Sequence, residues 1–82
     1  MIEQKLAIST NFEARPAALF VQIANKFKSN IYVVINNKTI NAKSIMGMIS
    51  LGVLDGQTIT IVAEGSDEEL AVNELKDFLL GI

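Results

Sequence analysis

Two stretches of this 82-residue chain carry side chains at spacings that could do chemistry. The first is Asn41-Ala42-Lys43-Ser44-Ile45-Met46-Gly47, in which a polar approach leads to a serine and an apolar run follows at once. Serine there reads as a helix N-cap, because its hydroxyl accepts a hydrogen bond from one of the unpaired N–H groups of the first turn. Ile45, Met46, Met48 and Ile49 are too many apolar residues for one buried face of so short an element. Some of them therefore belong on the surface beside the hydroxyl, an arrangement suited to reversible phosphorylation read by a partner. The expected split puts Met46, with Met48 or Ile45, outward and the others inward. Methionine is adaptable at such docking surfaces. Lys43 reads either as a screen for the phosphate and an aid to kinase docking or as an ordinary solvated lysine. The plainer reading of Ser44 is a cap and nothing more, worth about 1 kcal/mol.

The second stretch is Glu13-Ala14-Arg15-Pro16. Proline is tolerated within the first turn of a helix, so Glu13 and Arg15 lie at a helix entrance, where an acid is mildly stabilised by the dipole and can pair with the arginine. Arg15, with Phe12 and Phe20, could form a partner-facing surface, although Phe20 fits the buried stripe of the helix equally well. An enzymatic alternative uses Arg15 to hold a phosphate and Asn41 to place a water, as in small acylphosphatases. The absent residues constrain the chemistry further. With no cysteine there are no disulfides, thiol nucleophiles or Cys-based metal sites. With no histidine there are no Ser-His triads, imidazole bases, His ligands or phosphohistidines. No cofactor or metal is expected.

The elements that must position these residues can be read from periodicity. Ile2, Leu6 and Ile8 share one parity of a strand running from Ile2 to Ser9. Arg15-Pro16-Ala17-Ala18 opens a helix whose stripe is Leu19, Phe20, Ile23, Ala24 and Phe27, ending near Lys26 to Ser29. Ile31 to Ile35 is a strand, apolar on both parities and so central in its sheet. Asn36-Asn37 reads as a two-residue hairpin turn into a short strand from Lys38 to Ala42. The Ser44 helix closes by Gly52 or soon after, and Asp55-Gly56 makes a turn. Thr58 to Ala63 alternates as a fourth strand. Ser66 with Glu69 matches a capping box, and Ala71, Val72, Leu75, Phe78 and Leu79 place a last helix running to about Leu80. The order βαββαβα implies an α+β domain, an open-faced sandwich with a four-stranded antiparallel sheet and helices packed on one face. One domain spanning residues 1–82 is expected.

Half the residues are apolar, enough for a single core without staples. No apolar run approaches the ~20 residues of a membrane span, and the N-terminus enters an alternating pattern rather than a leader, so a cytoplasmic protein is expected. A net charge of -2 gives no electrostatic footprint for nucleic acid.

The order of elements, Ala14-Arg15-Pro16-Ala17 opening the first helix, and Asn41-Ala42-Lys43-Ser44-Ile45-Met46-Gly47 opening the short one together resemble HPr, the phosphocarrier family of the bacterial sugar phosphotransferase system. The resemblance covers essentially the whole chain. It implies an open-faced sandwich, and it implies that the position before Ala-Arg-Pro should hold the phosphorylated histidine. Here that position is Glu13, and a usual glycine two residues earlier is Asn11. A carboxylate is not a nitrogen nucleophile, so histidine phosphotransfer is expected to fail, while Arg15 remains as the family's phosphate-steadying arginine. Ser44 matches the serine that a dedicated HPr kinase/phosphorylase modifies. Losing the histidine and keeping the serine resembles the catabolite-repression branch of the family, the Crh-type proteins, in which glutamine typically replaces histidine. What that implies is a corepressor that, phosphorylated on Ser44, binds a LacI-type catabolite control regulator. The partner-binding residues implied are Arg15, Lys43, Ile45, Met46, Met48 and Phe20. A milder alternative is a degenerate HPr paralogue that engages its partners unmodified. Oligomeric state is left open.

Overall fold

The computed structural model describes residues 1–8, 14–51 and 57–80. Strands β1 (Ile2–Ile8), β2 (Asn30–Ile35), β3 (Lys38–Asn41) and β4 (Gln57–Glu64) alternate with helices α1 (Ala14–Asn25), α2 (Ile45–Ile49) and α3 (Glu68–Leu80) in the expected order. The sheet runs β1-β4-β2-β3 and every pairing is antiparallel. β2 is interior, as its sequence implied. It and β3 meet at Ile35 and Lys38 through Asn36 and Asn37, both at positive φ, 49° and 69°. Asparagine tolerates that left-handed backbone, and two such residues match the twist of the strands they join.

Strand alternation decides which side of the sheet is covered. Ile59, Ile61 and Ala63 of β4, Ile31, Val33 and Ile35 of β2 and Leu6 of β1 all point into the core. The opposite parity stays open, with Tyr32 exposed and a shallow concavity of about 340 Å³ lined by Glu3, Lys5, Val34 and Thr60. The apolar residues of β2 on that parity therefore mark an open outer face; the strand is central by pairing, without a second covering layer.

The helices supply the other wall. Ala71, Val72, Leu75 and Leu79 of α3 repeat at helical spacing and are buried. In α1 the buried stripe is Ala17, Phe20 and Ala24, while Leu19 is exposed. Small residues on either side of Phe20 let α1 lie close, and its ring meets Phe78 of α3 at 6.2 Å between centroids in a tilted arrangement. Phe20 is thus core, not part of a partner surface.

Two boundaries move for identifiable reasons. α1 ends at Asn25, after which Lys26 and Phe27 donate to the carbonyls of Ile23 and Ala24 in a tighter final turn. Lys26 pairs with Glu74 on α3, and the carbonyl of Phe27, just beyond the helix, is met by the Lys43 ammonium. At α3 the reach-back expected of Glu69 comes from Glu68, which accepts from the N–H of Gly65 at 3.3 Å. Gly65 has φ +157°, and a Cβ there would sit 2.6 Å from the Cα of Ser29. Backbone cannot yield as a side-chain tip can, so Gly65→Ala should destabilise the fold by roughly 1–3 kcal/mol. A fall in the urea midpoint at unchanged slope checks this. The Asp55-Gly56 turn and the segment from Thr10 to Glu13 lie outside the described residues.

Candidate functional site: the serine loop and its anchors

The loop between β3 and α2 is built by local hydrogen bonds. Asn41 ends β3, and its side-chain oxygen accepts the N–H of Lys43 at 2.9 Å while its carbonyl accepts the N–H of Ser44 at 3.0 Å. This Asx turn reverses the chain. It uses the Asn41 oxygen in holding the loop, which leaves it ill placed for the water-positioning duty of the enzymatic alternative. Ala42 follows with its side chain fully buried, pinning the loop to the core.

Ser44 then adopts extended backbone, φ -103° and ψ 115°, and its hydroxyl oxygen accepts from the N–H of Gly47 at 3.2 Å. That is the N-cap the residue order anticipated. Gly47 leaves room for the turn: a Cβ there would stand 3.0 Å from Ile40 Cγ2 and 3.4 Å from the Ser44 hydroxyl. The far end of α2 is closed by Ser50, whose hydroxyl donates to the carbonyl of Gly47 at 2.5 Å.

The five residues of α2 divide differently from expectation. Met46 is 74% exposed, with Ile45 at 39% and Ile49 at 36% beside it. Of the two alternatives for the second outward place it is Ile45 that is exposed; Met48, also among the implied partner-binding residues, is completely buried. The reason is helix geometry. Successive residues are 100° apart, so Met46 and Met48 point to nearly opposite sides, and Met48 faces the core behind the cap. Ile49, expected inward, takes the outer place, on the same side as Ile45 four residues earlier. The exposed apolar patch next to Ser44 is therefore Ile45, Met46 and Ile49.

Lys43 is held within its own fold. Its ammonium donates to the carbonyl of Phe27 at 2.7 Å, and its carbonyl accepts from Asn25 Nδ2 at 3.4 Å. The Asn25 amide also donates to Val21 at 2.9 Å, so the end of α1 and the serine loop are cross-linked. The positive charge expected to face a phosphate or a kinase is engaged with the Phe27 carbonyl, in the turn that follows α1. α1 begins at Ala14 and so includes Arg15, whose side chain, like Glu13, lies outside what is described.

A further anchor was not legible in the sequence. Asp67, just before α3, accepts from the backbone N–H groups of Lys28 at 2.8 Å and Ser29 at 2.9 Å, and from the Ser29 hydroxyl. Those donors, the Ser29 hydroxyl foremost, hold its carboxyl below the ordinary carboxylate value. Ser66-Asp67 looked like the start of a helix, and its long-range partner has no local signal. Because the native value is lowered, the contribution of Asp67 is complete above the ordinary value of 3.8 and is lost as pH falls from there through the lowered one. Asp67→Asn should therefore lower the urea midpoint near neutral pH, and that deficit should shrink as pH falls below 3.8 through the lowered value.

Comparisons with known proteins agree with this fold. The family model described as the phosphotransferase-system HPr component phosphorylation site matches residues 2–80. The HPr-like protein Crh of Halalkalibacterium halodurans is 47% identical over 81 residues, covering 96% of each chain. The HPr-like protein Crh of Bacillus subtilis is 44% identical over 81 residues, covering 96% of this chain and 95% of its own. Among solved structures, that of HPr-C-His from Thermoanaerobacter tengcongensis superposes with a TM-score of 0.91 at 51% identity, covering 99% of this chain and 93% of its own.

Proposed function

The chain belongs to the HPr family, as a Crh-like member of proteins that are not enzymes in the catalytic sense, and from that premise we propose that it is a regulatory protein switched by phosphorylation of Ser44. In this reading an HPr kinase/phosphorylase adds and removes the phosphate. The phosphorylated form then acts in carbon catabolite repression as corepressor of a LacI-type catabolite control regulator in the cytoplasm.

The observation that carries the reading is the placement of one hydroxyl. Ser44 caps α2 while Ile45, Met46 and Ile49 form an apolar patch around it. A phosphate there adds about -1.5 to -2 charge beside the helix N–H groups, so the helix tolerates it and a partner gains three acceptor oxygens next to an apolar foothold. Arginine is the natural partner group, since its planar fork binds phosphate bidentately. The chain contains no histidine, so phosphohistidine relay has no acceptor in it. Arg15 is proposed as a second contact for the regulator.

The test is a comparison of two forms of one protein. Incubation with an HPr kinase/phosphorylase and ATP should add a single phosphate, located on Ser44 by peptide mass spectrometry. The phosphorylated form should capture LacI-type regulators in a pull-down where the unmodified form does not. Equal capture by both would remove phosphorylation as the switch.

A further inference from the structure

Three hydrogen bonds meet on a single stretch of backbone between the serine loop and α3. The peptide group joining Phe27 to Lys28 accepts at its oxygen from the Lys43 ammonium, 2.7 Å away, and donates at its N–H to the Asp67 carboxylate, 2.8 Å away. The next N–H, that of Ser29, donates to the other oxygen of the same carboxylate at 2.9 Å. A cation on the carbonyl side and an anion on the N–H side both align with the peptide dipole, so each bond polarises the group in the sense that strengthens the other. Lys43 and Asp67 are thus linked through one peptide unit, each bonded to one end of it. Lys43 immediately precedes Ser44, and Asp67 immediately precedes α3.

We propose that Lys43 is the positioning residue of Ser44, and that the Phe27–Lys28 peptide couples the geometry of the serine loop to the start of α3 through Asp67. The functional meaning of this clamp rests on the reading of Ser44 as the modified residue; the coupling itself does not. Lys43 is fixed at both ends, its carbonyl by Asn25 and its ammonium by Phe27, so it sets the angle at which the chain enters the Ser44 cap. The lysine ammonium is held by the Phe27 carbonyl, while the hydroxyl of the next residue, Ser44, accepts from the Gly47 N–H. It follows that the counter-charge for a phosphate on Ser44 comes from the partner and not from Lys43.

Hydrogen exchange of backbone amides in the full, unmodified chain tests the coupling without any kinase. Lys43→Met should accelerate exchange at Lys28 and Ser29 as well as at Gly47 by about fivefold, the equivalent of one net hydrogen bond, and Lys43→Arg should restore the slow rates. Asp67→Asn should accelerate exchange at Gly47, a residue on another element. Unchanged Gly47 exchange in Asp67→Asn, or unchanged Lys28 and Ser29 exchange in Lys43→Met, would overturn the proposal. A parallel kinase assay on the wild-type chain separates the two readings: no phosphate on Ser44 defeats the switch, and the exchange data still decide the clamp.

Discussion

Replacing Met48 with alanine should cost about 2–5 kcal/mol of stability, whereas replacing Met46 should change stability by no more than about 0.5 kcal/mol. The two methionines are two residues apart in a helix of five, so helical spacing sets them on opposite sides, and the structure shows which one faces inward. Met48 is completely buried within the core, so truncation removes its dispersion contacts and leaves a cavity. Met46 is 74% exposed and has few contacts to lose. For a chain of this length, total stability is roughly 4–12 kcal/mol, so Met48→Ala removes a large share and a marginal background would unfold. Denaturant titration of both variants at neutral pH measures the difference. Binding should show the opposite ranking: among variants that remain folded, Met46→Ala should weaken capture by the regulator most, because an exposed thioether beside the phosphate is a natural anchor for a partner. Equal stability losses in the two variants would contradict the orientation of α2.

The same pair shows what the sequence could and could not reveal. Element order, the Asn36-Asn37 turn, the Ser44 cap and the buried faces of β4 and α3 follow from local rules: alternation, helical spacing, positive-φ tolerance and capping chemistry. Each depends on residues within a few positions of one another. What stayed hidden depends on a partner far along the chain. The choice between Met48 and Ile45 for the outer face stayed open, and Ile49 was expected inward, because α2 is too short for periodicity to fix a phase. Phe20 satisfied two patterns at once, and only the meeting of α1 with Phe78 of α3 decides for the core. Lys43 looked like a solvated charge because its acceptor, the carbonyl of Phe27, is a backbone atom sixteen residues away that carries no compositional mark. Asp67 is hidden for the same reason, since its donors at Lys28 and Ser29 lie almost forty residues upstream. Family resemblance identified the serine by motif, but the residues that orient it emerge only from tertiary geometry.

Separating the two roles of Ser44 gives the second large effect. Ser44→Ala removes both the modifiable hydroxyl and the acceptor for the Gly47 N–H, so it should abolish phosphorylation and cost about 1 kcal/mol. Ser44→Asn removes only the first. Its side-chain oxygen still caps α2, asparagine being among the best N-cap residues, so stability should stay within a few tenths of a kcal/mol of wild type while phosphorylation is lost completely. Ser44→Asp caps equally well and adds one negative charge, yet it lacks the second charge and the tetrahedral set of oxygens that an arginine fork can straddle. A phosphate making one or two charge-assisted hydrogen bonds across the interface is worth roughly 2–4 kcal/mol, or about 30- to 1,000-fold in affinity. Titration calorimetry against the regulator should therefore rank phosphorylated wild type far above Ser44→Asp, and Ser44→Asp only slightly above unmodified wild type, Ser44→Asn and Ser44→Ala. If Ser44→Asn instead bound as tightly as the phosphorylated protein, the cap alone would be what the partner reads. The patch of Ile45, Met46 and Ile49 would then bind independently of phosphate, as an unmodified interaction protein requires.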